Sequence, residues 1–442
     1  MRSDAPSSAD PRPASQPDQP ASRPDDAASQ RDAPAPPQIR NAAFIFVFVT
    51  ILLDMLALGI IIPVLPKLVV DFVGGDVARG ADYLGLFGTA WALMQFLCSP
   101  IHGALSDRFG RKPVILGSNF GLGLDYILMA LAPTLWWLFA GRVISGITAA
   151  SISTAYAYVA DVTPPQDRAA RFGMLGVAFG AGFILGPAIG GLAGSVDPRL
   201  PFWIAAALSL ANAAYGFFIL PESLPPERRA PFRWRRANPI GSLVLLRSHK
   251  GLAAFAIVNF LDQLAHASLP AVGVLYMMYR YGFDERTVGF TMAGIGICAM
   301  IVQGGLIRPA IKRFGERVTL LIGLAFGIAG FAAFGLAPTA IAYWLSIPLL
   351  ALWGFANSAS MGLMSRRVGP SEQGQLQGAN ASLLGIANLF GPVVFTQAFA
   401  LFIGTGIHVP GAPFLLAAML VAAAAGVAWY ATREDAPEEK TR

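Results

Sequence analysis

Charge is scarce in this 442-residue sequence: Asp, Glu, Lys and Arg make up 13% of it, against 55% hydrophobic residues. A soluble domain carries about twice that share of charge. The chain therefore cannot cover itself with a solvated surface, and its mean hydropathy of +0.56 calls for lipid around it. Cysteine is nearly missing too. Cys98 and Cys298 both fall in apolar stretches and not at metal-ligand spacing, which excludes a disulfide framework and leaves them as packing residues. The sequence has no phosphate loop, nucleophile elbow or metal-ligand cluster, and Gly180-Ala181-Gly182 lies inside an apolar stretch rather than at a nucleotide-binding turn. Neither an enzyme nor a metal or cofactor site is expected.

What the chain does have is long apolar runs. They fall at about 42–66, 83–105, 114–132, 135–159, 172–194 and 201–220, then at about 252–277, 287–307, 318–337, 341–364, 376–402 and 411–431. Each is long enough to cross ~30 Å of hydrocarbon as a helix, so twelve spans are expected. The net charge of +6 resides largely in the short loops between them, which points to topology rather than to nucleic acid. With the amino terminus inside, the inner loops hold Arg108, Arg111, Lys112, Arg168, Arg171, seven cations from Arg228 to Lys250, and Arg308, Lys312, Arg313, Arg317, Arg366 and Arg367. The outer loops hold only Lys67, Arg79, Arg199, Arg280 and Arg286, a bias that puts both termini in the cytoplasm.

Residues 1–38, rich in Pro, Ala, Ser, Asp and Gln, read as a disordered cytoplasmic tail, and 432–442 as a second one. No apolar stretch precedes a small-residue cleavage site, so the first span itself directs insertion. Residues 39–220 and 251–431 read as two six-helix bundles joined by a cytoplasmic linker, 221–250. The linker run Arg228, Arg229, Phe232, Arg233, Trp234, Arg235, Arg236 suits anionic headgroups, or simply positive-inside retention. The bundles repeat one another. Phe109-Gly110 recurs 205 positions on as Phe314-Gly315, and Gly186-Pro187 recurs 205 positions on as Gly391-Pro392, so the substrate path is expected between two related halves.

Where span two meets the cytoplasm the chain reads Gly103-Ala-Leu-Ser-Asp107-Arg108-Phe-Gly110-Arg111-Lys112. Gly103 permits close helix approach, Asp107 accepts from a neighbouring helix N-terminus, and the cations anchor at headgroups. This string resembles the signature loop of the major facilitator superfamily, which implies an all-α membrane fold of twelve helices in two pseudo-symmetric six-helix bundles. Span five places Gly182, Gly186, Gly190 and Gly194 on one stripe, with Pro187 and Gly191 beside them. Such a stripe serves tight packing anywhere, but the full string resembles the one carried by the superfamily's exporters.

Ionisable groups inside spans are costly and tend to be functional. Four stand out: Asp54 in span one, ahead of Pro63 and Pro66, which bend or end its helix; Asp125 in span three; Arg142 in span four; and Asp262 in span seven beside Asn259, Gln263 and His266. A buried carboxyl that meets water on either face in turn can carry a proton. A static Asp125–Arg142 pair that only ties helices together, or an Asp262 absorbed in a hydrogen-bond network with Asn259 and Gln263, fits the same residues. The Asp54–Pro66 string, Gly123-Leu-Asp125-Tyr126, Gly141-Arg142-Val-Ile-Ser-Gly146 and Arg171-Phe172-Gly173 resemble the bacterial tetracycline/proton antiporters.

That resemblance assigns drug/proton exchange to Asp54, Asp125 and Arg142. Asp161 resembles another element of the family, expected to pair with a loop cation such as Arg111 or to be a plain helix-end charge. The family also carries an acid in span nine, and here Gly327 stands near its place. Asp262 is the expected substitute. The sequence therefore implies proton-coupled export of a small lipophilic molecule from a bacterial inner membrane by a monomer driven by the proton gradient. Asn119, Gln263, Asn357, Asn380 and Asn388 are expected to line the pocket. A metabolite transporter of the same fold, or a membrane sensor or scaffold that no longer transports, are the alternatives.

Overall fold

The computed structural model describes residues 37–149, 151–164, 167–230, 245–248, 251–369, 372–404 and 408–433. Most of both expected tails and much of the expected linker, including Phe232–Arg236, lie outside the described residues. The chain divides into two compact units, Met1–Ala42 and Ala43–Arg442, and the second holds the membrane crossings.

Helices are the regular elements throughout the described residues. In the first half they are α1 (Pro37–Ile61), α2 (Leu65–Phe72), α3 (Val77–Phe109), α4 (Arg111–Ala130), α5 (Leu135–Thr148), α6 (Ser151–Val162), α7 (Arg168–Gly194) and α8 (Leu200–Ile219). After a short α9 (Leu245–Ser248) come α10 (Leu252–His266), α11 (Ser268–Tyr281), α12 (Glu285–Ile301), a π segment (Val302–Leu306), α13 (Ile307–Leu336), α14 (Ala340–Ala351), α15 (Gly354–Ser365), α16 (Gln373–Gly404) and α17 (Ala412–Arg433).

Among the described residues, eleven helical stretches are long and apolar enough to cross a membrane. One of them, Glu285–Leu336, runs 52 residues, more than twice what ~30 Å of hydrocarbon needs at 1.5 Å per residue. Gly315 breaks it with φ 74° and ψ 167°, so it makes two crossings and the total is twelve. Gly110, with φ 106° and ψ 162°, separates α3 from α4 in the same way. Both halves thus turn on a Phe-Gly pair whose glycine adopts a conformation that a Cβ disfavours.

Spans one, four, seven and ten are interrupted mid-membrane. Span one breaks between α1 and α2, where Pro66 enters the first turn of α2; span four breaks at Ala149, span seven at Ala267, and span ten at Leu352–Trp353. Every third span is therefore discontinuous, the pattern of transporters whose sites form at broken helices. Each half has its own apolar core, around Phe87, Tyr126 and Phe202 in the first and Tyr276, Phe334 and Phe414 in the second. Large apolar side chains such as Trp136, Phe218, Leu345 and Tyr430 point outward, as lipid-facing residues do.

The halves meet at the end opposite the basic Phe-Gly turns. There Lys67 pairs with the buried Glu285, Gln397 Nε2 donates to Asp82 Oδ1 at 2.9 Å, and Thr89 Oγ1 donates to the Leu389 carbonyl at 3.2 Å. Toward the basic end, positions 103, 173, 176, 304, 305 and 374 are glycines with no atom within 4 Å of where a Cβ would sit. Those cross-half hydrogen bonds and the Lys67–Glu285 ion pair thus lie at the end away from the basic turns. Gly103, expected to allow close helix approach, has no neighbouring helix within 4 Å of where its Cβ would stand.

Candidate functional site

Buried polar groups gather on several spans of each half. On α1, Asp54 is 6% exposed and accepts from Asn212 Nδ2 at 2.9 Å. With its amide nitrogen turned toward the acid, Asn119 donates to both Asp54 oxygens at 3.1 and 3.2 Å, and its oxygen accepts from Asn212 at 3.0 Å. Spans one, three and six thus close an amide cage on Asp54. Asn119 is 1% exposed, so it does not line a pocket as expected; two acid oxygens out of water claim its donors first.

Asp125 on α4 is in the opposite situation. It is 1% exposed and neither carboxylate oxygen has a hydrogen-bond donor. The Arg142 charge acts on it from α5, while the guanidinium itself lies over the Trp91 ring at 5.3 Å from its centroid. Gly141 makes the approach of the two helices possible, since a Cβ there would stand 2.9 Å from Asp125 Oδ1. Acid and base are thus adjacent without a hydrogen bond between them, an arrangement a small shift of α5 can make or break.

In the second half, Asp262 accepts from Trp353 Nε1 at 2.7 Å. It lines a cavity of about 260 Å³ with Gln263, His266, Gln303, Asn357 and the apolar Phe334, Ile347 and Leu350. Asn259 does not join it: its amide donates to Asn380 Oδ1 at 3.2 Å and its oxygen accepts from Ser360 Oγ at 2.6 Å. The alternative network of Asp262 with Asn259 and Gln263 does not form among the described residues: Asn259 bonds Asn380 and Ser360, away from the cavity that holds Asp262, Gln263 and Asn357. Asn388 lies elsewhere, in a cleft of about 420 Å³ between α3 and α16 with Gln95, Phe96 and Ser99.

At the basic end Arg111 is a hub. Its Nη1 donates to Ser106 Oγ and Asp107 Oδ1, each at 2.6 Å, and its Nε donates to Asp161 Oδ2 at 3.0 Å. Arg108 stays exposed over the Phe109 ring. The acceptor at the N-terminus of α4 is Glu222 and not Asp107: Glu222 takes the Arg111 and Lys112 backbone N–H groups at 2.8 and 3.3 Å and folds over Gly110. Asp107 is drawn to the nearer guanidinium, four residues on across the Gly110 turn.

The glycine stripe of α7 faces two partners. A Cβ at Gly182 or Gly186 would stand 2.5 Å from Met55 Cβ or 2.7 Å from Gly59 Cα, and Gly190 rests on the Ile60 backbone, so this face packs on span one. Pro187 and Gly191 turn instead to span eight, against Gly289 and Glu285. One helix therefore ties Asp54's span to the opposite half.

The model of the Major Facilitator Superfamily matches residues 47–392. The chain belongs to this superfamily. It is similar to the class C tetracycline resistance protein of Escherichia coli, 39% identical over 363 residues, which are 81% of this chain and 90% of that protein. Among solved structures it resembles the human organic anion transporter MFSD10, with a TM-score of 0.66 and 26% identity, covering 89% of this chain and 100% of the other. A bacterial homologue of the human lysosomal transporter Spinster, in an inward-facing and unoccupied conformation, shares the fold at a TM-score of 0.72 and 17% identity over 90% of this chain and 98% of that one.

Within this superfamily fold, several functional candidates escaped the sequence. Asn212, Trp91, Trp353, Glu222, Lys67 and Glu285 are separated by at least 51 positions from Asp54, Arg142, Asp262, Arg111 and one another, respectively, and none stands in a readable motif. Only Trp353 left a trace, as a bulky aromatic at the point where span ten breaks.

Proposed function

We propose that this chain is a secondary active transporter that exports a small lipophilic molecule across a bacterial cytoplasmic membrane in exchange for protons. The observation that carries the reading is Asp125: a buried carboxyl with no donor on either oxygen, beside an arginine parked on a tryptophan. A static structural pair would be hydrogen-bonded. A group that must load and release a proton needs a neighbour that can come and go.

The basic end faces the cytoplasm, with both termini on that side, so the end tied by Lys67 and Glu285 is the outer gate. Substrate enters from the cytoplasm or the inner leaflet. The halves rock about the α7 contacts with α1 and α12, Asp54 and Asp125 take protons from the outer side, and the return step delivers them inside. Arg111, gathered with Asp107 and Asp161, holds the inner ends of spans two to four as a unit while Gly103 offers a surface for closure. The chain works as a monomer on the proton gradient alone. Span nine carries Gly327, so tetracycline itself is not assigned as cargo.

The test is drug-driven proton movement in everted membrane vesicles. Asp125→Asn is expected to insert at wild-type levels and bind drug, and to lose proton-driven accumulation by at least tenfold. Coupled accumulation at the wild-type rate would remove Asp125 from the proton path.

A further inference from the structure

The cavity around Asp262 has a composition that the proton-coupling reading does not use. Among the described residues Asp262 is the only acid on its wall, and His266 rather than any Lys or Arg shares it. The carboxylate is 8% exposed, and its one hydrogen bond comes from the Trp353 indole, which leaves acceptor capacity unused. The π segment Val302–Leu306, a local widening often found at functional sites, delivers Gln303 to the same wall. Trp353 is held in place on three sides. Phe331 meets it edge-on with centroids 4.9 Å apart, His266 lies 5.7 Å away, and Gly327 leaves it room, since a Cβ there would stand 2.6 Å from the indole Cδ1.

We infer that this cavity is the subsite for the positively charged end of the cargo, the protonated nitrogen of a small aryl or alkyl amine. An ammonium N–H donates to Asp262, Gln263, Gln303 and Asn357 supply further polar contacts, and the apolar body lies against Phe334, Ile347 and Leu350. The carboxylate suits a cation better than an anion, because among the described residues no Lys or Arg on the wall offsets its charge. At about 260 Å³ the space is below the ~300 Å³ at which drug-sized pockets begin, so it takes the charged end of a larger molecule or the whole of a small one. The inference rests on the export reading and deepens it by naming the chemistry of the cargo's polar end.

Equilibrium dialysis of the full chain in nanodiscs, with radiolabelled 1-naphthylmethylamine and its neutral isostere 1-naphthylmethanol, tests it without any gradient. The wild type is expected to prefer the amine at least tenfold, Asp262→Asn to lose the preference, and Asp262→Glu to keep it. Equal affinity of the wild type for amine and alcohol overturns the inference, as does an undiminished preference in a folded Asp262→Asn. The wild-type comparison stands even if a variant misfolds. Asp125→Asn separates the two readings: it keeps the amine preference while losing drug-driven proton movement. Amine selectivity without any coupled flux in the wild type would sink the export reading and leave the subsite standing.

Discussion

Breaking the outer gate shifts the rocking equilibrium by a predictable amount. Lys67 and Glu285 bridge the halves where they are closed; the Glu285 side chain is 6% exposed and that of Lys67 36%. A fully buried pair costs about 3–5 kcal/mol to break from one side and an exposed one less than about 1 kcal/mol. With one partner buried and the other a third exposed, Glu285→Gln should destabilise the outer-closed state by about 1–2 kcal/mol, a factor of roughly 5–30 in the ratio of the two states. The reporter is Thr396→Cys, a fully buried position on α16 against Gly85 of α3, in a background with Cys98 and Cys298 replaced by serine. Its labelling by a charged, membrane-impermeant thiol reagent added outside should accelerate by that factor in Glu285→Gln. Lys67→Glu combined with Glu285→Lys should restore the slow rate. Unchanged labelling in the single variant would refute the assignment of this pair as a gate.

Two further outcomes follow from packing. Gly186→Leu should lower Tm and expression, because its Cβ meets the Gly59 backbone and overpacking of this kind costs about 1–3 kcal/mol; Gly103→Leu, with open space before it, should leave Tm unchanged while slowing transport. Arg111→Gln removes charge-assisted bonds to Asp107 and Asp161 and is expected to destabilise the first half by about 2 kcal/mol, read as a lower Tm that high salt does not restore.

The fold was legible because its signals are local. A span announces itself within some twenty residues, and the Phe-Gly and Gly-Pro pairs that mark the repeat need no partner to be seen. Intramembrane charge is equally visible, so Asp54, Asp125, Arg142 and Asp262 could be singled out. What holds each of them was not visible. Asn212 and Asn119 are both polar residues in apolar runs, and sequence gives no means to say that the first cages Asp54 or that the second is spent on the same acid. Lys67 stands in the sequence as one more outer-loop cation and Glu285 carries no signal at all, although the fold brings them together across 218 positions. The direction of the glycine stripe was hidden for the same reason: α7 could have presented it to lipid, to its own half or to the other, and the answer depends on where span one lies.

The repeat exposes an asymmetry between the halves. Moving 205 positions along the chain takes Asp125 to Gly330 and Arg142 to Ile347, a buried residue against the Asp262 cavity. It takes Asp54 to Asn259, which keeps the amide network, here with Asn380, but drops the charge. The acid of the second half is one helical turn beyond that position, at Asp262, and the tryptophan that binds it fills the space Gly327 leaves open. An acid side chain at position 327 would collide with that indole, so the span-nine acid of the tetracycline/proton antiporters and the Trp353–Asp262 pair exclude one another in this packing. The first half has a buried acid beside a base, Asp125 and Arg142, where the second has Gly330 and Ile347, with one carboxylate on its cavity wall. Two halves that rock as equals need not bind as equals, and this division lets a change of cargo leave the proton path untouched.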